Sequence, residues 1–94
     1  MKTSLKEFIK QSNKIIKREN LKINNWHQNI SEYETIMDVI SKTANNEILD
    51  FYKEKINCCY NRIENSLDKI KHNEEIIATI RTVDRIIKRG DRVA

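Results

Sequence analysis

Four side chains in this sequence have the chemistry of metal ligands or of nucleophile–base pairs: His27, His72, Cys58 and Cys59. Their spacing does not gather them. Zinc sites draw on pairs such as Cys-x2-Cys, His-x3-His or Glu-x-x-His, which bring two ligands to one side of a turn or helix. No such pair occurs. Cys58 and Cys59 are adjacent, and neighbouring helical side chains diverge by about 100°, so a bridge between them is not expected. They read as two reduced thiols, one half-buried. Glu64 with Asp68, and Glu47 with Asp50, share helix faces. Paired carboxylates do acid–base work only in a dry, convergent pocket, and nothing in the pattern marks these as buried. The single glycine, Gly90, stands near the C-terminus, so no glycine-rich loop can cradle a phosphate. The sequence predicts a non-enzymatic protein that needs no metal or cofactor.

The best-organised polar feature is a basic stripe near the C-terminus: Arg81, Arg85, Lys88, Arg89 and Arg92. Their spacing puts them on one broad helical face. Lys6, Lys10, Lys14 and Lys17 form a comparable set near the N-terminus. Such faces can neutralise phosphates, and they are also the ordinary solvated faces of amphipathic helices. Asp84 and Asp91 dilute the C-terminal stripe. No helix-turn-helix spacing with a turn glycine and no aromatic stacking cluster accompanies it. Nucleic-acid binding here would rest on phosphate and be weakly sequence-selective. The one tryptophan, Trp26, is either an anchor for its own segment or a contact for a partner. A third use would be clasping a small anionic or nucleotide ligand between subunits, with Lys or Arg side chains on one side and Trp26 or a tyrosine on the other.

These residues must be held by helices. Ile56, Ile63, Ile70 and Ile77 recur every seven residues, and Tyr60 and Leu67 follow the first two by four. A hydrophobic period of 3.5 marks a helix packed along most of its length against another, and this seam is a candidate for self-association. Helix 1 is expected at about residues 4–19, opened by the capping box Ser4-x-x-Glu7 and carrying Leu5, Phe8, Ile9, Ser12, Ile15 and Ile16 at helical spacing. Residues 20–30 read as a loop, because Asn24-Asn25 favours a turn. A second box, Ser31-x-x-Glu34, opens a helix at about 31–44 with Tyr33, Ile36, Met37, Ile40 and Ala44 on one face. Asn45-Asn46 then breaks the chain, with Asn46 capping a helix at about 47–72. Near Asn73 the seam gives way to Ile76, Ile80, Val83 and Ile87, so a break or kink is expected there, with a last helix at about 74–89 ended by Gly90.

The composition suits this reading. The 94 residues make one expected domain, 1–94, with 38% hydrophobic and 34% charged residues and no proline. An all-β chain of this length needs turns rich in Gly and Pro. The formal charge is +4, which argues against a nucleic-acid mimic, since such a mimic must be strongly acidic. Charge is uneven: +5 over residues 1–22, −3 over 23–61 and +2 over 62–94. No apolar run reaches the length of a membrane span, and the cytoplasm is the expected location. The expected fold is all-α, a three- to four-helix hairpin or bundle with one long heptad-patterned helix, self-associating. The expected function is a small protein–protein interaction module (an adaptor, a chaperone-like escort or an inhibitor) that recognises a protein partner through apolar helix faces. The alternative is a nucleic-acid-associated protein that uses the basic faces near both termini.

Overall fold

The computed structural model describes residues 3–43 and 45–93, with side chains over 4–43 and 45–90. The all-helical expectation holds, but the helices number two among the described residues. α1 is Thr3–Ser41 and α2 is Asn46–Val93, folded back on each other as an antiparallel hairpin. The backbone extends 76 × 14 × 14 Å.

α1 is one helix because its own heptad never stops. Ile9, Ile16, Ile23, Ile30 and Met37 form one column, and Leu5, Ser12, Glu19, Trp26, Tyr33 and Ile40 form the other. Every one of these side chains is buried or half-buried. The loop expected at 20–30 is therefore helix. Asn24 and Asn25 lie on its solvent face, where each costs only its modest helix propensity, about 0.7 kcal/mol. Burial of Ile23 and Ile30 outweighs that. The second capping box is likewise unused: Ser31 sits inside α1, and its carbonyl accepts from Thr35 Oγ1 at 2.9 Å. Ser4 is also already within α1.

The end of α1 is closed by local hydrogen bonds. Thr43 donates to the Ile40 carbonyl through both its amide (2.8 Å) and its Oγ1 (2.7 Å), and Ser41 Oγ donates to the Asp38 carbonyl at 2.8 Å. α2 is then capped by Asn45, not Asn46: Asn45 Oδ1 accepts from the Ile48 amide at 3.3 Å. Ala44, expected on the apolar face of helix 2, lies outside the described residues.

α2 runs through the expected break. Asn73 is buried at 7% exposure and donates Nδ2 to the Lys69 carbonyl at 2.8 Å, so it is satisfied within the helix and caps nothing. Gly90 is also helical, and α2 continues to Val93. Ile56, Ile63, Ile70 and Ile77 form one column of the seam. The second column lies three residues after each, not four: Cys59, Ser66, Asn73 and Ile80, all buried. Tyr60 (50% exposed) and Leu67 (52%) stand outside it. Burial of Ile63, Ile70 and Ile77 stabilises the hairpin by about 1.5–3 kcal/mol per side chain.

Two contacts set the register. Ser66 meets Glu19, and two heptads nearer the turn the Tyr33 and Tyr52 rings stand 5.8 Å apart between centroids. The same step places Trp26 level with Cys59, Ser12 level with Asn73, and Leu5 level with Ile80. Thr3 falls level with residue 82. Residues 83–93 of α2 therefore project past Thr3.

Candidate interaction surfaces

Polar chemistry inside the hairpin is concentrated at one layer. Glu19 is fully buried, and Ser66 Oγ donates to its Oε2 at 2.6 Å. Its Oε1 faces Lys22 Nζ at 3.4 Å, Lys69 Nζ at 3.9 Å and Arg18 Nε at 4.0 Å. The Ser66 hydrogen bond draws the Glu19 pKa below its ordinary range; burial opposes this, and Lys22 and Lys69 add to the lowering. The result is an ionised carboxylate held by cations on both helices. With no exposure it cannot reach a substrate, and its role is to fix which residues of α1 and α2 stand opposite. Sequence periodicity missed this layer because it follows apolar residues alone. The available signal was that Glu19 falls seven residues before Trp26 in a continuous heptad.

The remaining candidates for chemistry do not gather. His27, His72 and Cys58 are exposed, and Cys59 is buried in the apolar cluster with Ile30 and Ile63. Among the described residues no three His, Cys, Asp or Glu side chains form a metal-ligand group. No helix among the described residues is long and apolar enough to cross a membrane. Trp26 packs half-buried against the cluster of Ile30, Cys59 and Ile63, beside Ile23, Tyr33 and Ile56. It lies 20 residues from Lys6 along α1, about 30 Å, so the fold does not bring it to the terminal basic groups.

Those basic groups are brought to each other. Antiparallel pairing carries the N-terminal set and the C-terminal stripe to the open end of the hairpin, opposite the turn. Lys6, Lys10, Lys14 and Lys17 are exposed along one edge of α1, beside Ile9 and Asn13. Arg81, Arg85, Lys88 and Arg89 are exposed on α2. Arg81 shares a groove with Asn13 and Ile16 across the two helices, together with Glu74, Ile77 and Ala78. Lys88 Nζ pairs with Asp84 at 3.2 Å. The Arg92 side chain, expected in this stripe, lies outside the described residues. The uneven charge of the sequence thus becomes a gradient along a rod: a basic open end and an acidic turn end.

The other edge of the open end is apolar. Leu5 and Phe8 of α1 and Ile76, Thr79 and Ile80 of α2 line an open surface groove of about 470 Å³, with His72 and Glu75 at its rim. The apolar stripe continues outward along α2 through Val83 (40% exposed), Ile86 (62%) and Ile87 (38%). Phe8 is 59% exposed. At the turn end, Phe51 packs edge-on to Tyr52 at 5.3 Å, and Lys55 Nζ lies 5.0 Å from the Phe51 ring centre and 5.8 Å from that of Tyr33.

Comparison of the chain with known protein families, with curated proteins and with solved structures finds no match.

Proposed function

We propose that this hairpin is a non-enzymatic protein–protein interaction module whose docking surface is the apolar groove at its open end. The observation that supports this is the continuity of Leu5, Phe8, Ile76 and Ile80 with the exposed Val83, Ile86 and Ile87. A groove of two helices with a third apolar ridge running off its end suits a helical partner laid along it. Such a surface gains energy by burying aromatic and aliphatic side chains within a polar rim, here His72 and Glu75.

The test uses a matched pair of variants. Phe8 and Leu21 are each 59% exposed, Phe8 in the groove and Leu21 away from it. The immobilised chain, challenged with an extract of its native host, should retain a protein that Leu21→Glu also retains and Phe8→Glu loses. Retention indifferent to Phe8→Glu would remove the groove from the account.

A second reading has an observation of its own. The two basic stripes, 64 residues or more apart in the chain, meet at one end of the rod. We infer that a polyanion such as nucleic acid is the alternative partner. It would be held by phosphate contacts along the Lys6–Lys17 and Arg81–Arg89 edge. Affinity for a DNA or RNA duplex would fall steeply with salt, with a slope of about −0.9 per phosphate neutralised on B-DNA. Arg81→Glu, Arg85→Glu and Arg89→Glu together should flatten that slope. A weak affinity with no salt dependence would dismiss this reading.

A further inference from the structure

The apolar stripe of α2 at the open end shares Ile80 with the seam that faces α1 and otherwise lies beside that seam. It runs Ile76, Ile80, Val83, Ile87, with Thr79 and Ile86 alongside. Its order is the same in both directions about a point between Arg81 and Thr82: Ile76 mirrors Ile87, and Ile80 mirrors Val83. A helix with such a stripe is complementary to itself when turned end for end, which is the condition for an isologous two-fold contact.

The rest of the open end has the same property. In the hairpin register Phe8 lies level with residue 77, and the mirror of residue 77 is Ile86. An inverted second copy therefore brings its residues 83–93 level with the groove lined by Leu5, Phe8 and Ile76, and its own groove receives the same segment of the first copy in return. Charge follows. Glu75, at the groove rim, is mirrored by Lys88 with Arg89 one residue beyond, so the acidic rim of each copy meets the basic end of the other. Residues 83–93, which project past Thr3, then lie along the open end of the second copy.

We propose that two copies of this chain join at their open ends, α2 against inverted α2, each projecting segment filling the other's apolar groove. This rests on the reading of the groove as a docking surface and names its occupant. Through the central overlap each level holds three helices, both α2 helices and one α1, and the two turns point outward. Each turn is about 38 residues from the symmetry point, roughly 57 Å at the α-helical rise, so the assembly is about 115 Å from turn to turn. A side-by-side pair would keep the 76 Å length of one rod.

The experiment is sedimentation equilibrium with small-angle scattering on the full chain. Wild type should reach twice the 11.2 kDa chain mass with a maximum dimension near 115 Å. Val83→Glu with Ile86→Glu, both at exposed positions, should retain helicity and raise the dimer Kd at least about tenfold. Glu75→Arg and Arg89→Glu should each weaken self-association several-fold, and an equimolar mixture of the two should recover it. Three results would overturn the proposal: a monomer at every concentration up to about 1 mM, a dimer only as long as one rod, or a mixture no tighter than either variant alone. A monomer that still holds another protein through Phe8 would overturn self-assembly and leave the docking reading standing. A wild-type dimer meeting every criterion, with no protein lost on Phe8→Glu, would make self-assembly the use of the groove.

Discussion

At the scale of the residue, the decisive group is Glu19. A carboxylate in a helix seam is costly unless it is paired and hydrogen-bonded, and here both conditions are met by Ser66, Lys22 and Lys69. Ser66→Ala should destabilise the hairpin by about 1.5–3 kcal/mol in urea unfolding, the worth of a hydrogen bond to a charged group. Replacing both partners by apolar residues, Glu19→Leu with Ser66→Ala, should cost far less than Ser66→Ala alone, because no orphaned charge remains. Acid should act through the same group. Because the folded pKa of Glu19 is lowered, its contribution is complete above the unfolded value of about 4.3 and is lost as pH falls through the folded value. Unfolding midpoints measured from neutral pH down to the acid limit should show this loss in the wild type and much less of it in Glu19→Gln.

At the scale of the element, burial separates two leucine-sized side chains four residues apart on α2. Ile63 is 6% exposed and Leu67 is 52% exposed. Ile63→Ala should cost about 2–5 kcal/mol, whereas Leu67→Ala should stay within about 1 kcal/mol. Equal losses, read as urea midpoints at constant slope, would mean that the seam's second column had been misassigned. The helices also show how much of the fold was legible. Ile56, Ile63, Ile70 and Ile77 announced α2 by spacing alone. Ile9, Ile16, Ile23 and Ile30 carry the same seven-residue signal through α1. There it competes with two local turn cues, Asn24-Asn25 and Ser31-x-x-Glu34. Those cues express preferences of about 0.7 kcal/mol per asparagine and about 0.5–2 kcal/mol for a cap, and a continuous buried column overrides them. Asn73 misleads for a related reason: its amide can cap a helix or back-bond within one, and the choice is made by what stands opposite.

At the scale of the whole molecule, shape and charge are the observable consequences. A compact chain of this length would have a radius of gyration of about 12 Å, whereas the hairpin has 21.4 Å. Small-angle scattering of the Val83→Glu, Ile86→Glu variant at low concentration should therefore report a rod near the larger value. A value near 12 Å would mean that the helices fold over into a bundle. The basic open end and acidic turn end also give the rod a large dipole, so any association that joins unlike ends should weaken as salt is added. Contacts dominated by the apolar groove should change little over the same range.

Composition and spacing were enough to establish that this chain is helical, that α2 carries a heptad seam and that basic charge gathers toward both termini. These are local properties: the 3.6-residue turn of the backbone converts spacing directly into a face. Tertiary structure alone decided that there are two helices, that Ser66 and Asn73 complete the seam, and that the two basic stripes and the Phe8–Ile86 surface share one end of the rod. Those outcomes depend on which layer of α1 meets which layer of α2. That register is set where the chain reverses near Asn45 and where Ser66 meets Glu19, a contact between residues 47 positions apart. No periodicity within either helix contains it.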